Sequence, residues 1–166
     1  TQYRRYTEEN LGVLLKSDAL NPTKKIGILY ESAHTLVGDV FDDPRSGESI
    51  ERSRKLVEHT VDYLMGQGNV VEHLQGVIAH DYHIYTHSVN VCVFGLSLAL
   101  KSGLSDVDIL KEFGDALLLH DVGKSQIDPE ILKCPGKLTG EQFDEMKMHT
   151  IYGYQILSGH PDLSPV

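Results

Sequence analysis

The chain has 166 residues, about one domain's worth and enough to bury a core of its own, which excludes the small folds that depend on disulfide staples. Its 24 acidic and 15 basic residues leave a formal net charge of −9 with no basic tract, which excludes a protein that grips a DNA or RNA polymer by its phosphates. Two cysteines, Cys92 and Cys134, without CxxC spacing point to a reduced compartment and away from a cysteine-rich zinc site.

The longest apolar stretch, Val89 to Leu100, is interrupted by Asn90, Gly95 and Ser97 and falls short of the roughly 20 residues of a membrane span, so none is expected. No signal-peptide pattern opens the chain. It starts on Thr1 and closes on Ser164-Pro165-Val166, and it reads as a piece of a longer protein. Residues 1–23, polar and irregular, are expected to be a lead-in from an upstream region, with the domain proper over 24–166.

From Lys24 the apolar positions step at helical intervals. Ile26, Leu29, Tyr30, Ala33, Val37, Val40 and Phe41 share a face, and Asn21-Pro22 supplies a cap and first turn. After Asp42-Asp43-Pro44, a second helix is predicted from Gly47 to Met65, with Ile50, Val57, Val61, Leu64 and Met65 inward and Glu51, Arg52, Lys55 and Glu58 outward. Asn69 and Glu72 predict a capped short helix to about Ala79, followed by a junction at His80-Asp81. Tyr82 to Ser102 is apolar nearly all round in its second half, the pattern of a central helix surrounded by others. Ser105 with Asp108 is expected to open the next helix, whose Leu110, Phe113, Leu117 and Leu118 run into His120-Asp121 before Gly123. Asp128-Pro129 starts a short helix to Lys133. Beyond Pro135-Gly136, Thr139 and Gln142 cap a last helix bearing Phe143, Met146, Gly153, Ile156 and Leu157, closed by Gly159. No clean alternation and no long repeat occurs, so the predicted fold class is all-α.

Nine histidines in an acidic chain suggest metal chemistry, but with thirteen aspartates chance alone gives roughly 0.7 His-Asp pairs, and there are two. Context separates them. His120-Asp121 ends an apolar helix, and Val122-Gly123-Lys124, a Pro-Gly loop and a helix carrying His149 follow. Adjacent side chains on a helix diverge by about 100°, so His120 and Asp121 converge only on a point beyond the helix end, where the negative pole of the dipole favours cations. A carboxylate beside an imidazole suits a site with more than one metal, and Lys124 is placed to reach a phosphoryl oxygen. His87 at the start of the buried helix and His149 on the last one can face the same point. His83, four residues before His87, shares its face, a spacing that accident also produces in a His-rich chain. His34, His59, His73, His80 and His160 are expected on the surface or in caps.

His120-Asp121-Val122-Gly123-Lys124, with Ile127, Ile131-Leu132, Pro135-Gly136-Lys137-Leu138-Thr139 and His149 to Leu157, closely resembles the HD-GYP family of bacterial phosphodiesterases. Val40-Phe41-Asp42-Asp43-Pro44-Arg45-Ser46-Gly47 and His87-Ser88-Val89-Asn90-Val91 are similar to it too, so the resemblance covers about Lys24 to Val166. It implies an HD-superfamily helical bundle, truncated here before the GYP motif. It also implies two or three iron or manganese ions and hydrolysis of cyclic di-GMP to linear pGpG or to GMP, in bacterial cytoplasmic signalling. By motif match His87, His120, Asp121 and His149 are metal ligands, Asp121 bridging. Lys124 holds phosphate and serves as proton donor, and His83 falls where some members place a third-metal glutamate.

The family's paired histidines, Gly-Tyr-Pro loop and later aspartate ligand would lie past Val166, so the site is expected to be incomplete and the fragment to turn over little. The order Asp128-Pro129 and the residue Cys134 depart from the family pattern and are expected to alter substrate grip more than metal binding. Expected partners are cyclic di-GMP, an upstream sensory or receiver domain, and a second copy in a homodimer. The alternatives are a relative without turnover that serves as nucleotide sensor or scaffold, and an HD-type hydrolase acting on another nucleotide.

Overall fold

A computed structural model describes residues 2–66, 84–160 and 163. Among them there is no strand, and the architecture is all-α, as the apolar spacing predicts. The helices are α1 (Gln2–Glu9), α2 (Leu11–Lys16), α3 (Pro22–Asp42), α4 (Gly47–Gly66), α5 (Ile84–Lys101) and α6 (Val107–Leu119). A 3-10 segment (Val122–Gln126), α7 (Pro129–Leu132), α8 (Gly140–Lys147) and α9 (His149–Leu157) follow. The short helix predicted over 69–79 and the His80-Asp81 junction lie outside the described residues.

α3 starts as its sequence dictates, with the Asn21 side chain accepting from the Lys24 N–H at 2.9 Å and proline in the first turn. Its apolar face packs on α4 and α5, and α6 packs on the same two helices, around Ile26, Leu29, Val57, Leu96 and Leu110, all nearly inaccessible to water. Buried hydroxyls in this core bond back to their own helices: Thr60 donates to the Leu56 carbonyl at 2.8 Å and Ser97 to that of Val93 at 2.7 Å. Gly114 brings α6 against α4 and α5, since a side chain there would meet Val57 and Leu96.

Gln2–Glu9 and Leu11–Lys16 are helical rather than irregular. α1 and α2 form, and Leu11 and Leu15 belong to the core cluster. Two side chains outweigh the polar average, because each finds an apolar seat between α3 and α4. Arg52, expected outward, is likewise drawn in: its guanidinium binds Glu8 of α1, Nη2 to Oε2 at 2.7 Å, and Asp39 of α3 at 3.0 Å. Met65 is exposed rather than inward, as it sits in the last turn of α4. α5 is not wholly surrounded, because Phe94 and Leu98 face solvent on the side that α3, α4 and α6 leave open.

The cap of α6 is Asp106, whose carboxylate accepts from the Asp108 and Ile109 N–H groups, so Ser105 stands one residue too early. The last predicted helix is two. The Thr139/Gln142 capping box opens α8 as expected, but the chain turns at Met148 and restarts at His149. No helix among the described residues is long and apolar enough to cross a membrane.

Candidate metal centre

α6 ends at Leu119, with His120 as its cap residue and Asp121 leading into the 3-10 segment. The turn swings both side chains past the helix end, where the last unsatisfied carbonyls favour a cation. α9 lies directly against this segment. A Cβ on Gly123 would strike the His149 carbonyl oxygen and the Gly153 N–H, so only glycine admits this approach, and the approach carries His149 to Asp121.

Asp121 is the hub, its side chain 4% exposed. Its Oδ2 lies 3.2 Å from His120 Nε2, 3.7 Å from His87 Nε2 and 2.6 Å from Lys124 Nζ. Its Oδ1 lies 3.4 Å from His149 Nε2. The two carboxylate oxygens therefore face different imidazoles, two on one side and one on the other. His87, His120 and Asp121 bring their ligand atoms within 4.8 Å of one another, a grouping able to hold a metal ion.

The far nitrogens of the rings support the same use. His120 Nδ1 lies 2.8 Å from the Leu117 carbonyl and His149 Nδ1 2.6 Å from that of Met146. A proton on Nδ1, donated to the carbonyl, leaves an Nε2 lone pair directed at Asp121, the tautomer a ligand histidine requires. Both carbonyls sit three residues upstream in the same turn, and nothing in the sequence pattern singled them out. Burial, the largest influence on Asp121, raises its pKa. Hydrogen bonds from His120 and Lys124 outweigh it, holding the carboxyl well below the usual carboxylate range. His120 is raised by its bond to Asp121, against burial.

His87, His120, Asp121, Lys124 and His149 are thus brought together, while His83 lies outside the described residues. His34 stacks edge-on against Tyr85, and the His59 ring rests on Gly12 of α2, both away from the centre. Cys92 and Cys134 are free thiols. Burial pushes Cys92 up to about 12, which suits a packing residue rather than a nucleophile.

The chain is 33% identical over 132 residues to a cyclic di-GMP phosphodiesterase of Pseudomonas aeruginosa, an alignment covering 78% of this chain and 32% of that protein. It is 40% identical over 78 residues to a cyclic di-GMP phosphodiesterase of Thermotoga maritima, covering 47% of this chain and 21% of that one. The chain thus spans about a third or less of these curated relatives. Its fold superposes with a TM-score of 0.77 on an HDG"Y"P protein from Bdellovibrio bacteriovorus, at 22% identity, over 94% of this chain and 51% of that one. Residues 84–166, which hold His87, His120, Asp121, Lys124 and His149, match the HD domain, and the chain belongs to that family.

Proposed function

We propose that residues 24–166 are the N-terminal two-thirds of the metal-dependent domain of a phosphodiesterase that hydrolyses cyclic di-GMP to linear pGpG or GMP. One observation carries the reading: a buried carboxylate presents one oxygen to His87 and His120 and the other to His149. His87, His120, Asp121 and His149 would hold two divalent cations, with Asp121 as the shared ligand, iron or manganese by the mixture of imidazole and carboxylate, and His83 would be the candidate ligand for a third. Bound ions would supply charge neutralisation at the phosphate and an activated water.

The chain's own residues do the rest. Asp121 and the imidazoles of His87, His120 and His149 would orient the ions, and the backbone-bonded Nδ1 atoms of His120 and His149 keep those two rings from turning. Lys124 holds a nonbridging phosphate oxygen and gives a proton to the ribose oxygen as the P–O bond breaks, while water adds to phosphorus and loses its proton to solvent, from which Lys124 is reprotonated. An acidic protein binds an anionic dinucleotide because the ions and Lys124 reverse the local potential. The reading carries with it a bacterial cytoplasmic setting and an upstream sensory or receiver domain. α1, clamped to the core by Arg52, is where such a domain would act.

The test is anaerobic purification of the full-length protein, metal analysis and a cyclic di-GMP hydrolysis assay. Wild type is expected to hold metal and cleave. His120→Ala and Asp121→Ala are expected to lose at least 100-fold in rate together with most of the metal. Full activity in either variant refutes the site, and a metal-loaded wild type that leaves cyclic di-GMP intact refutes the function.

A further inference from the structure

The 3-10 segment and α9, which carry Lys124 and His149, also line a second feature. Arg45, from the turn between α3 and α4, closes a cleft of about 280 Å³ with Gln126, Tyr152, Gln155 and Ile156. In a chain of net charge −9, Arg5, Arg52 and Arg54 each pair with a carboxylate, whereas Arg45, like the exposed Arg4, makes no ion pair among the described residues. The Gln126 amide donates to Ser125 Oγ at 3.3 Å, leaving its carbonyl oxygen as an acceptor. The cleft thus offers a forked donor, a phenol ring and carboxamide acceptors side by side. Its volume is below the 300 Å³ or so at which whole-ligand pockets begin, so it suits one part of a ligand.

We propose that this cleft is a guanine-recognition subsite in which Arg45 determines base specificity. The inference rests on the phosphodiesterase reading, which supplies a guanine-bearing substrate whose phosphate sits at Asp121. Guanine presents two adjacent acceptors, O6 and N7, and the planar guanidinium donates to both in parallel. Adenine carries an amino donor where guanine has O6, so the same fork meets a donor and one bond is lost. The carboxamide oxygens of Gln126 and Gln155 accept from N1–H and the 2-amino group, and the Tyr152 ring covers the base. Tyr152 stands one helical turn beyond His149 on α9, so the cleft and the centre share that helix.

Steady-state hydrolysis of cyclic di-GMP and cyclic di-AMP by the full-length protein, wild type, Arg45→Ala and Arg45→Lys, tests this. Arg45→Ala is expected to raise KM for cyclic di-GMP by roughly 10- to 100-fold with a smaller change in kcat, and to erase the preference over cyclic di-AMP. Arg45→Lys is expected not to restore it, since a point charge lacks the fork. An alanine variant with unchanged preference overturns the subsite, and a lysine variant equal to wild type overturns the forked contact. Binding of GMP and AMP, followed by NMR with EDTA present, separates this inference from the phosphodiesterase reading, because it needs no turnover. GMP is expected to bind at least 5-fold more tightly, shifting the Tyr152 ring signals, and Arg45→Ala to remove the difference. Equal binding of the two nucleotides, or none, overturns the proposal even if the enzyme is active; GMP preference in an inactive enzyme upholds it and refutes the phosphodiesterase reading alone.

Discussion

Lys124 illustrates how one residue's task depends on its neighbour. Its ammonium sits 2.6 Å from Asp121 Oδ2, and that contact, with His120, keeps the carboxyl ionised at any working pH. Under the proposed function the same ammonium grips phosphate. Lys124→Ala is therefore expected to lower kcat by roughly 100-fold or more while metal content stays within a factor of two of wild type, measured by turnover and elemental analysis. A variant emptied of metal would show the lysine to be structural. His120-Asp121 could be singled out from the sequence because a helix end and a glycine follow it. Arg45 could not be given a task, although its motif was visible, because its partners Gln126 and Tyr152 are distant in sequence and meet it only through folding.

At the scale of elements, the packing of α6 against α4 leaves a pH-sensitive contact. Asp115 of α6 lies 3.5 Å from Arg54 Nε of α4, with its Oδ1 buried and unbonded. Burial pushes its carboxyl up from 3.8 to about 6, opposed by Arg54 and reinforced by Glu112 and Glu51. The folded state thus holds this proton more tightly than the unfolded chain. The resulting stabilisation is complete below about pH 4 and is lost as pH rises through about 6, at most roughly 3 kcal/mol. Urea unfolding of wild type and Asp115→Asn between pH 4 and 7 is expected to show the wild type losing ground on the variant as pH rises; parallel profiles would refute the assignment. The elements themselves were largely legible, down to the Thr139/Gln142 capping box, because caps and apolar spacing act within a few residues. The break at Met148 was not, since it serves the docking of α9 on Gly123, a contact outside the helix concerned.

Across the whole molecule, the candidate centre ties three segments distant in sequence: the start of α5 through His87, the end of α6 through His120 and Asp121, and α9 through His149. An ion bound there crosslinks the native state and not the unfolded chain. At about 100 times its dissociation constant it stabilises by about 2.7 kcal/mol, or roughly 5 to 10 °C in Tm for a chain of this size. Calorimetry with and without manganese is expected to show that shift in wild type and less than about 2 °C in Asp121→Ala. Equal shifts in both would place the ion elsewhere. What the sequence determined alone was most of what depends on near neighbours: an all-α chain, the caps at Asn21 and Thr139, and a His-Asp pair at a helix end where cations are favoured. Tertiary structure decided that Leu11 and Leu15 join the core, that Asp121 shows a different oxygen to each side, and that Arg45 meets α9. Those outcomes depend on surfaces assembled from segments far apart in the chain, whose complementarity no local periodicity encodes.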